Sequence, residues 1–369
     1  MTFAYLNTTW FALIGLLWAG YLFLEGFDFG VAIVAPFISS DETDRRICLN
    51  SVGPVWDGNE VWLLVAGGAT FAAFPLWYAR LFNGFYLALF LVLVALIVRG
   101  VSFEYRNKVD DPRWRKSWDV ANFVGSLIPA VIWGVAFTDF VHGVPIVNGY
   151  YTGGLWGALH PIALLGGAAS LAVFVTHGAL FLSLKTDGPI SERARRLAPR
   201  SGVVAAGALL VTVLWLAVSD HPHVVGTLPG LVPLLFGLFS VAAVGSAALV
   251  ARSGRVGWAF IATGLAIVAA MGAVFARMFP AVLTASNGAA NTVTIAQAAS
   301  QHNTLVVMTV VAACFTPFVL AYQGWTYWVF RQRLARPEPA RRPGSEVEAP
   351  ASVGGTGTNP VSSASGAHG

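Results

Sequence analysis

The most constraining feature of this chain is a run of nine apolar stretches, each near the length of a membrane-crossing helix, with short clusters of positive charge between them. A crossing helix needs about 20 apolar residues at roughly 1.5 Å rise each. The stretches centre on residues 10–37, 55–77, 81–103, 120–140, 161–184, 203–218, 231–250, 258–278 and 305–330. Of the 369 residues, 56% are hydrophobic and 11% charged, where a soluble domain carries about 25% charged residues. Such a chain cannot clothe itself in polar surface, so lipid is its solvent. The formal net charge of +4 does not point to nucleic acid, because the charges sit in short clusters between apolar runs.

The positive residues test the count independently. Of 22 Lys and Arg, all but Arg80 and Arg277 fall in segments that lie on one side if nine spans alternate. The positive-inside rule then places the N-terminus outside and the C-terminus in the cytoplasm. The segments 141–156 and 280–301, expected outside, carry no Lys, Arg, Asp or Glu. Trp10, Trp77, Tyr78, Trp325, Tyr327 and Trp328 near span ends suit interfacial aromatic belts. No cleavable signal pattern precedes the first stretch, which reads as the first span. Two cysteines, Cys48 in a polar loop and Cys314 in mid-helix, indicate no disulfide framework. The expected division is a membrane domain over 1–333 and a disordered cytoplasmic tail over 334–369, where Pro, Ala, Gly and Ser take over.

An ionisable side chain inside a membrane helix costs at least about 2.5–3.5 kcal/mol, which makes it a candidate functional group. Span one contains Glu25 and Asp28, and span two opens with Asp57 and Glu60. Each pair is spaced i,i+3, so each is expected on one helix face. With the orientation above, Asp28 lies roughly 10–15 Å from the cytoplasmic boundary and Asp57 and Glu60 within roughly 10 Å of it. Neighbouring spans would raise four carboxylates from that side toward mid-membrane. Acids so placed suit proton transfer, or a cage for a hard cation. The plainer alternative is structural: Arg99 is at hand as a counter-charge, and acids are favourable in a first helical turn. Asn59, Arg99 and Glu104 are expected as supporting residues, with Glu60 and Glu104 mainly structural.

Haem in a helix bundle needs inward-facing His or Met ligands. His142, His221, His223 and His302 fall in or beside outer loops, His160 opens span five, and His368 is in the tail. His177 is the one histidine well inside a span, with no partner at its depth, and is expected to be hydrogen-bonded packing. No haem and no metal is expected on this chain alone. Gly67-Gly68 and Gly166-Gly167 are read as points of close helix contact.

The stretches EGFDFGVAI from Glu25, GPVWDGNEVWLLVAGGATFAAFP from Gly53, ARLFNGFYLALFL from Ala79, RGVSFEYR from Arg99, THGALFL from Thr176 and YQGWTYWVFR from Tyr322 together resemble cytochrome bd oxidase subunit II. The resemblance runs almost to Arg333, with fewer distinctive residues in the second half. It implies an all-α polytopic protein of nine transmembrane helices, arranged as two four-helix bundles plus one extra helix, in the bacterial plasma membrane. It implies a pseudosymmetric heterodimer with subunit I, which carries two haems b, one haem d and the quinol site, the complex reducing dioxygen to water. Acidic residues of subunit II would help bring cytoplasmic protons to the oxygen site, a role that falls here on Asp57, with Asp28 and Glu25 as a second group and Trp56 and Arg99 resembling family positions beside them. A structural quinone and a small single-span accessory subunit are left open. Two alternatives stand beside this reading: an ion-coupled secondary transporter, and a purely structural subunit whose acids pair with partner bases.

Overall fold

The computed structural model describes residues 2–219 and 230–337. His221, His223, His368 and the tail from residue 338 lie outside the described residues. The chain forms helices α1 (Thr2–Ile38), α2 (Glu42–Val52), α3 (Trp56–Ala73), α4 (Pro75–Gly84), α5 (Tyr86–Tyr105) and α6 (Pro112–His142). Then follow α7 (Gly154–Gly157), α8 (Pro161–Lys185), α9 (Pro189–Val218), α10 (Leu231–Arg252), α11 (Val256–Met278), α12 (Ile295–Ala298) and α13 (His302–Val329). In a bilayer, each backbone N–H and C=O must find its partner within its own segment, which leaves helices as the solution for such stretches. Proline marks four starts, as Pro75, Pro112, Pro161 and Pro189 open α4, α6, α8 and α9. At that position the missing N–H loses no helical bond.

Among the described residues, eight helices are long and apolar enough to cross a membrane. α3, the expected second span, is not among them, because its first turns hold Asp57, Asn59 and Glu60 in only 18 residues. The stretch 55–77 also breaks at Phe74, where α3 ends and α4 begins. This is a multi-pass helical membrane protein.

Helix α1 is the axis. Of its apolar window 83% is buried, against 17% for α9 and 6% for α13, so the last two face outward along most of their length. α1 packs on α2, α3, α6, α8, α11 and α13, while α8–α9, α9–α10 and α10–α11 pair in sequence. α6 links the halves by packing on both α5 and α8. The tightest approach joins α1 to α8: a Cβ at Gly30 would lie 2.9 Å from the Cα of Gly178, so this crossing admits glycine alone. Gly166 and Gly167 meet α6 in the way expected, a Cβ on Gly167 falling 2.9 Å from Val135 Cγ2. Gly67 and Gly68 do not; nothing lies within 4 Å of a Cβ at either.

The inter-helix segments gather at two ends. At one, Arg336 bonds Asp41 at 2.5 Å, Arg193 bonds Asp44 at 2.6 Å, and Arg106 bonds Glu42 at 2.9 Å and Asp119 at 2.6 Å. Segments expected on one side are thereby tied together. The Asp44 carboxyl lies below the usual carboxylate range; burial pushes it up, and hydrogen bonds from Ser40 and Arg193 more than offset that. Leu334 exchanges backbone bonds with Lys185 and Asp187, so the main body runs to Arg336, three residues past the boundary expected. Cys48 is a buried residue of α2, not of a loop.

At the other end, the expected outer loops contain strands. β1 (Ile146–Val147) pairs antiparallel with β2 (Tyr150–Tyr151), and β3 (Ala281–Leu283) with β4 (Val293–Thr294). The two loops also join each other, since Ile146 N donates to Asn287 Oδ1 at 3.1 Å. Their lack of charge lets them pack together.

Candidate functional site

Arg99, on α5, is wholly buried. A guanidinium stays charged at any accessible pH and brings five N–H donors, so its surroundings must supply anions. α1 supplies two and α3 one: Arg99 Nη1 donates to Glu25 Oε1 and to Glu60 Oε2 at 3.3 Å, and its Nη2 stands 4.0 Å from Asp28 Oδ2. Glu25 and Asp28 are wholly buried, whereas the Glu60 side chain is 25% exposed. Aromatic faces close the remaining sides, with the Arg99 Cζ 5.1 Å from the Phe29 ring centroid, 5.6 Å from Phe103 and 5.9 Å from Trp56. Trp56 stacks on Phe103 at 5.1 Å. Behind Arg99, Gly125 of α6 lets the two helices touch, because a Cβ there would lie 2.7 Å from the Ala95 carbonyl oxygen.

Asn59 extends the cluster to α13. Its Nδ2 donates to Asp28 Oδ2 at 2.8 Å, while its Oδ1 accepts from Tyr327 Oη at 2.8 Å and Gln323 Nε2 at 3.1 Å. The result is a continuous polar chain from Glu60 through Arg99 and Asp28 to Tyr327, among apolar helices. It is not saturated: among the described residues, Glu25 Oε2, Asp28 Oδ1 and Arg99 Nε and Nη2 have no hydrogen-bond partner.

The structure therefore unites Glu25, Asp28, Glu60, Asn59, Arg99 and Trp56. It does not bring in Asp57 or Glu104. Both are exposed, and among the described residues no hydrogen bond or ion pair reaches either. The i,i+3 spacing of Asp57 and Glu60 suggested one shared face, yet the edge of the packed face of α3 runs between them. Asp57 heads an exposed stripe with Val61, Leu64, Gly68 and Phe71, while Asn59 and Glu60 turn toward α1 and α5. A separation of three residues spans about 60° around the helix, enough to cross an edge.

Three participants escaped sequence reasoning. Gln323 and Tyr327 are spaced i,i+4 on an otherwise apolar helix, a signal present in YQGWTYWVFR. Asp139, in the fourth span, is a buried acid whose Oδ1 lies 2.7 Å from His160 Nε2. His160 in turn packs against His142, ring centroids 4.6 Å apart. As an acid within a span, Asp139 carries the same insertion cost as Glu25 and Asp28.

His177 is wholly buried. Its Nε2 lies 3.2 Å from the Phe23 carbonyl oxygen, its Nδ1 lies 2.7 Å from Thr263 Oγ1, and its ring stacks on Phe260 at 4.3 Å. With both nitrogens engaged and a face covered, it does not fit a haem ligand. Among the described residues, no group of three or more His, Cys, Asp or Glu is placed to hold a metal ion.

A family model described as cytochrome bd terminal oxidase subunit II matches residues 6–330. The cytochrome bd ubiquinol oxidase subunit 2 of Bacillus subtilis (strain 168) is 38% identical over 346 residues, covering 91% of this chain and 99% of its own. The cytochrome bd-I ubiquinol oxidase subunit 2 of Escherichia coli (strain K12) is 34% identical over 367 residues, covering 91% and 97%. The solved structure of bd oxidase from Geobacillus thermodenitrificans superposes with a TM-score of 0.68 at 18% identity, covering 89% of this chain and 99% of that one, which speaks to the fold. The chain belongs to the cytochrome bd terminal oxidase subunit II family. It is thus a subunit of an oxidoreductase, and family membership sets aside the secondary transporter.

Proposed function

We propose that this chain is the haem-free subunit of a quinol:dioxygen oxidoreductase in the bacterial plasma membrane, and that it passes cytoplasmic protons toward an oxygen-reducing centre held by subunit I. α3 serves as a ninth span, the N-terminus faces outward, and the charged end with Arg106, Arg193 and Arg336 faces the cytoplasm. The helices α1, α3, α5, α6 and α8 to α11 make two four-helix bundles, with α13 as the extra helix. Ubiquinol, the substrate class in the names of the Bacillus subtilis and Escherichia coli relatives, is the electron donor. A structural quinone would find apolar surroundings in the cavity of about 180 Å³ lined by Trp133, Phe137, Phe174 and Met271.

The observation that carries the proton-supply reading is the gradient of exposure along the acids. Asp57 is exposed at the start of α3, Glu60 is 25% exposed, and Glu25 and Asp28 are wholly buried with one oxygen each left unbonded. Such a series offers a proton an entry, an intermediate and an inner carrier. Arg99 sets the charge: it keeps the acids from repelling one another, while its unsatisfied donors leave room for rearrangement. The structural alternative is favoured by the Arg99 ion pairs themselves, because a cluster this connected also locks α1, α3 and α5.

Carboxamide substitution separates the two. Glu25→Gln, Asp28→Asn and Asp57→Asn keep size and remove titration. The expected result is an assembled complex of normal haem absorbance whose oxygen consumption with quinol is at least about tenfold slower, a floor set below the roughly hundredfold or more typical of positioned proton transfer. Normal turnover in all three assembled variants would leave the cluster a structural brace.

A further inference from the structure

Outside the Arg99 cluster, a cleft of about 1000 Å³ with charged walls lies at the Arg106 end of the molecule, between the α8–α9 and α10–α11 turns. Asp187, Glu192, Arg195, Arg255, Trp258 and Arg333 are among the residues that line it. Both acids are already answered: Asp187 Oδ1 pairs with Arg333 Nη1 at 2.9 Å, and Glu192 pairs with Arg196. Arg195 and Arg255 have no acid within ion-pair distance among the described residues. Two positive charges therefore face one cleft without a counter-charge from the described chain. The cleft also sits at the N-terminal ends of α9 and α11, whose caps Gly188 and Arg255 contribute no side-chain bond, so dipoles and free N–H groups add to the same sign.

The chemistry changes abruptly one turn along α11. Trp258 is 67% exposed, and Ile261, Leu265 and Val268 continue the same outward stripe, spaced 3, 4 and 3 residues apart. A basic pocket that opens onto an exposed apolar stripe, with an indole at the join, has the profile of a lipid rather than of a soluble ion.

We propose that this cleft binds an anionic phospholipid, its phosphate on Arg195 and Arg255 and its acyl chains along Trp258, Ile261 and Leu265. The proposal needs only that the chain lies in a membrane and is independent of proton supply. Arg333 holds the wall, since its Nη2 donates to the Ser183 carbonyl at 2.8 Å while its Nη1 pairs with Asp187.

The test is native mass spectrometry of the delipidated, haem-bearing oxidase complex titrated with phosphatidylglycerol, with phosphatidylcholine and with inorganic phosphate. In Arg195→Gln/Arg255→Gln the tightest phosphatidylglycerol binding should weaken by about thirtyfold, each charge near a membrane surface contributing about fivefold. Phosphatidylcholine, whose choline cation offsets the same phosphate, should bind the wild type more weakly than phosphatidylglycerol and lose less in the Gln variant. Arg195→Lys/Arg255→Lys, which keeps the charges, should restore most of the loss, and haem absorbance verifies assembly in each variant. Equal phosphatidylglycerol binding by the wild-type and Gln complexes overturns the proposal. So does displacement of the lipid by millimolar phosphate, which would make the cleft a site for the free ion.

Discussion

Buried acids occur at both ends of this protein, and the two ends neutralise them differently. Asn122, level with the Arg99 cluster through its bond to Ser102, and Asp139 are 17 residues apart on α6, or about 25 Å along the helix. At the first end a permanently charged guanidinium binds three carboxylates, and the apolar walls of Phe29 and Phe103 exclude water. At the second a single carboxylate meets an imidazole whose side chain is 26% exposed. An arginine fixes the charge of its site, whereas a histidine shares one proton with its acid and with solvent. The first arrangement suits a place where protons are carried among several acids of held net charge. The second suits a local clasp between α6 and the start of α8.

The sharpest way to break the comparison is to delete the fixed charge. Arg99→Leu leaves Glu25 and Asp28 buried without a cation, at a cost of about 3–5 kcal/mol. The yield of haem-bearing complex from membranes should fall by at least about tenfold, and a normal yield would show that Arg99 is dispensable to the fold. A smaller effect should separate the ends in function. Glu25→Gln is expected to slow quinol-driven oxygen consumption by about tenfold or more, while Asp139→Asn changes it less than about twofold. The same Asp139→Asn should cost about 1 kcal/mol, seen as a drop of a few degrees in melting temperature. Equal slowing by the two variants would erase the functional distinction.

The smallest effect concerns the rim of the charged end. Hydrogen bonds from Arg106 hold the Glu42 carboxyl below its usual range. A carboxylate depressed by folding stabilises the folded state above its unfolded pKa of about 4.3, and that contribution is lost as pH falls through the folded value. Glu42→Gln should therefore lower the melting temperature slightly at pH 7, with the gap from wild type closing in acid. A gap that widens in acid would reverse the sign and discard the pair as a source of stability.

Much of this was legible in the residues. Apolar runs of membrane length admit one backbone solution, so helical spans followed directly for eight of nine stretches, and charge bias grouped the segments that Arg106, Arg193 and Arg336 tie together. Glu25, Asp28, Glu60 and Arg99 could be singled out because ions in hydrocarbon are costly wherever they stand. The sequence by itself thus determined the solvent, the helices and the suspect charges other than Asp139, all of which depend on local transfer energies. Only the tertiary structure decided which of those charges meet. It put Asp57 outside the Arg99 cluster, joined Tyr327 and Gln323 to it from 264 or more residues away, and left Gly67 and Gly68 without the contact that Gly166 and Gly167 make. The reason is geometric: periodicity says which residues share a helix face, but where the packed face ends is set by the neighbours, and those come from distant parts of the chain.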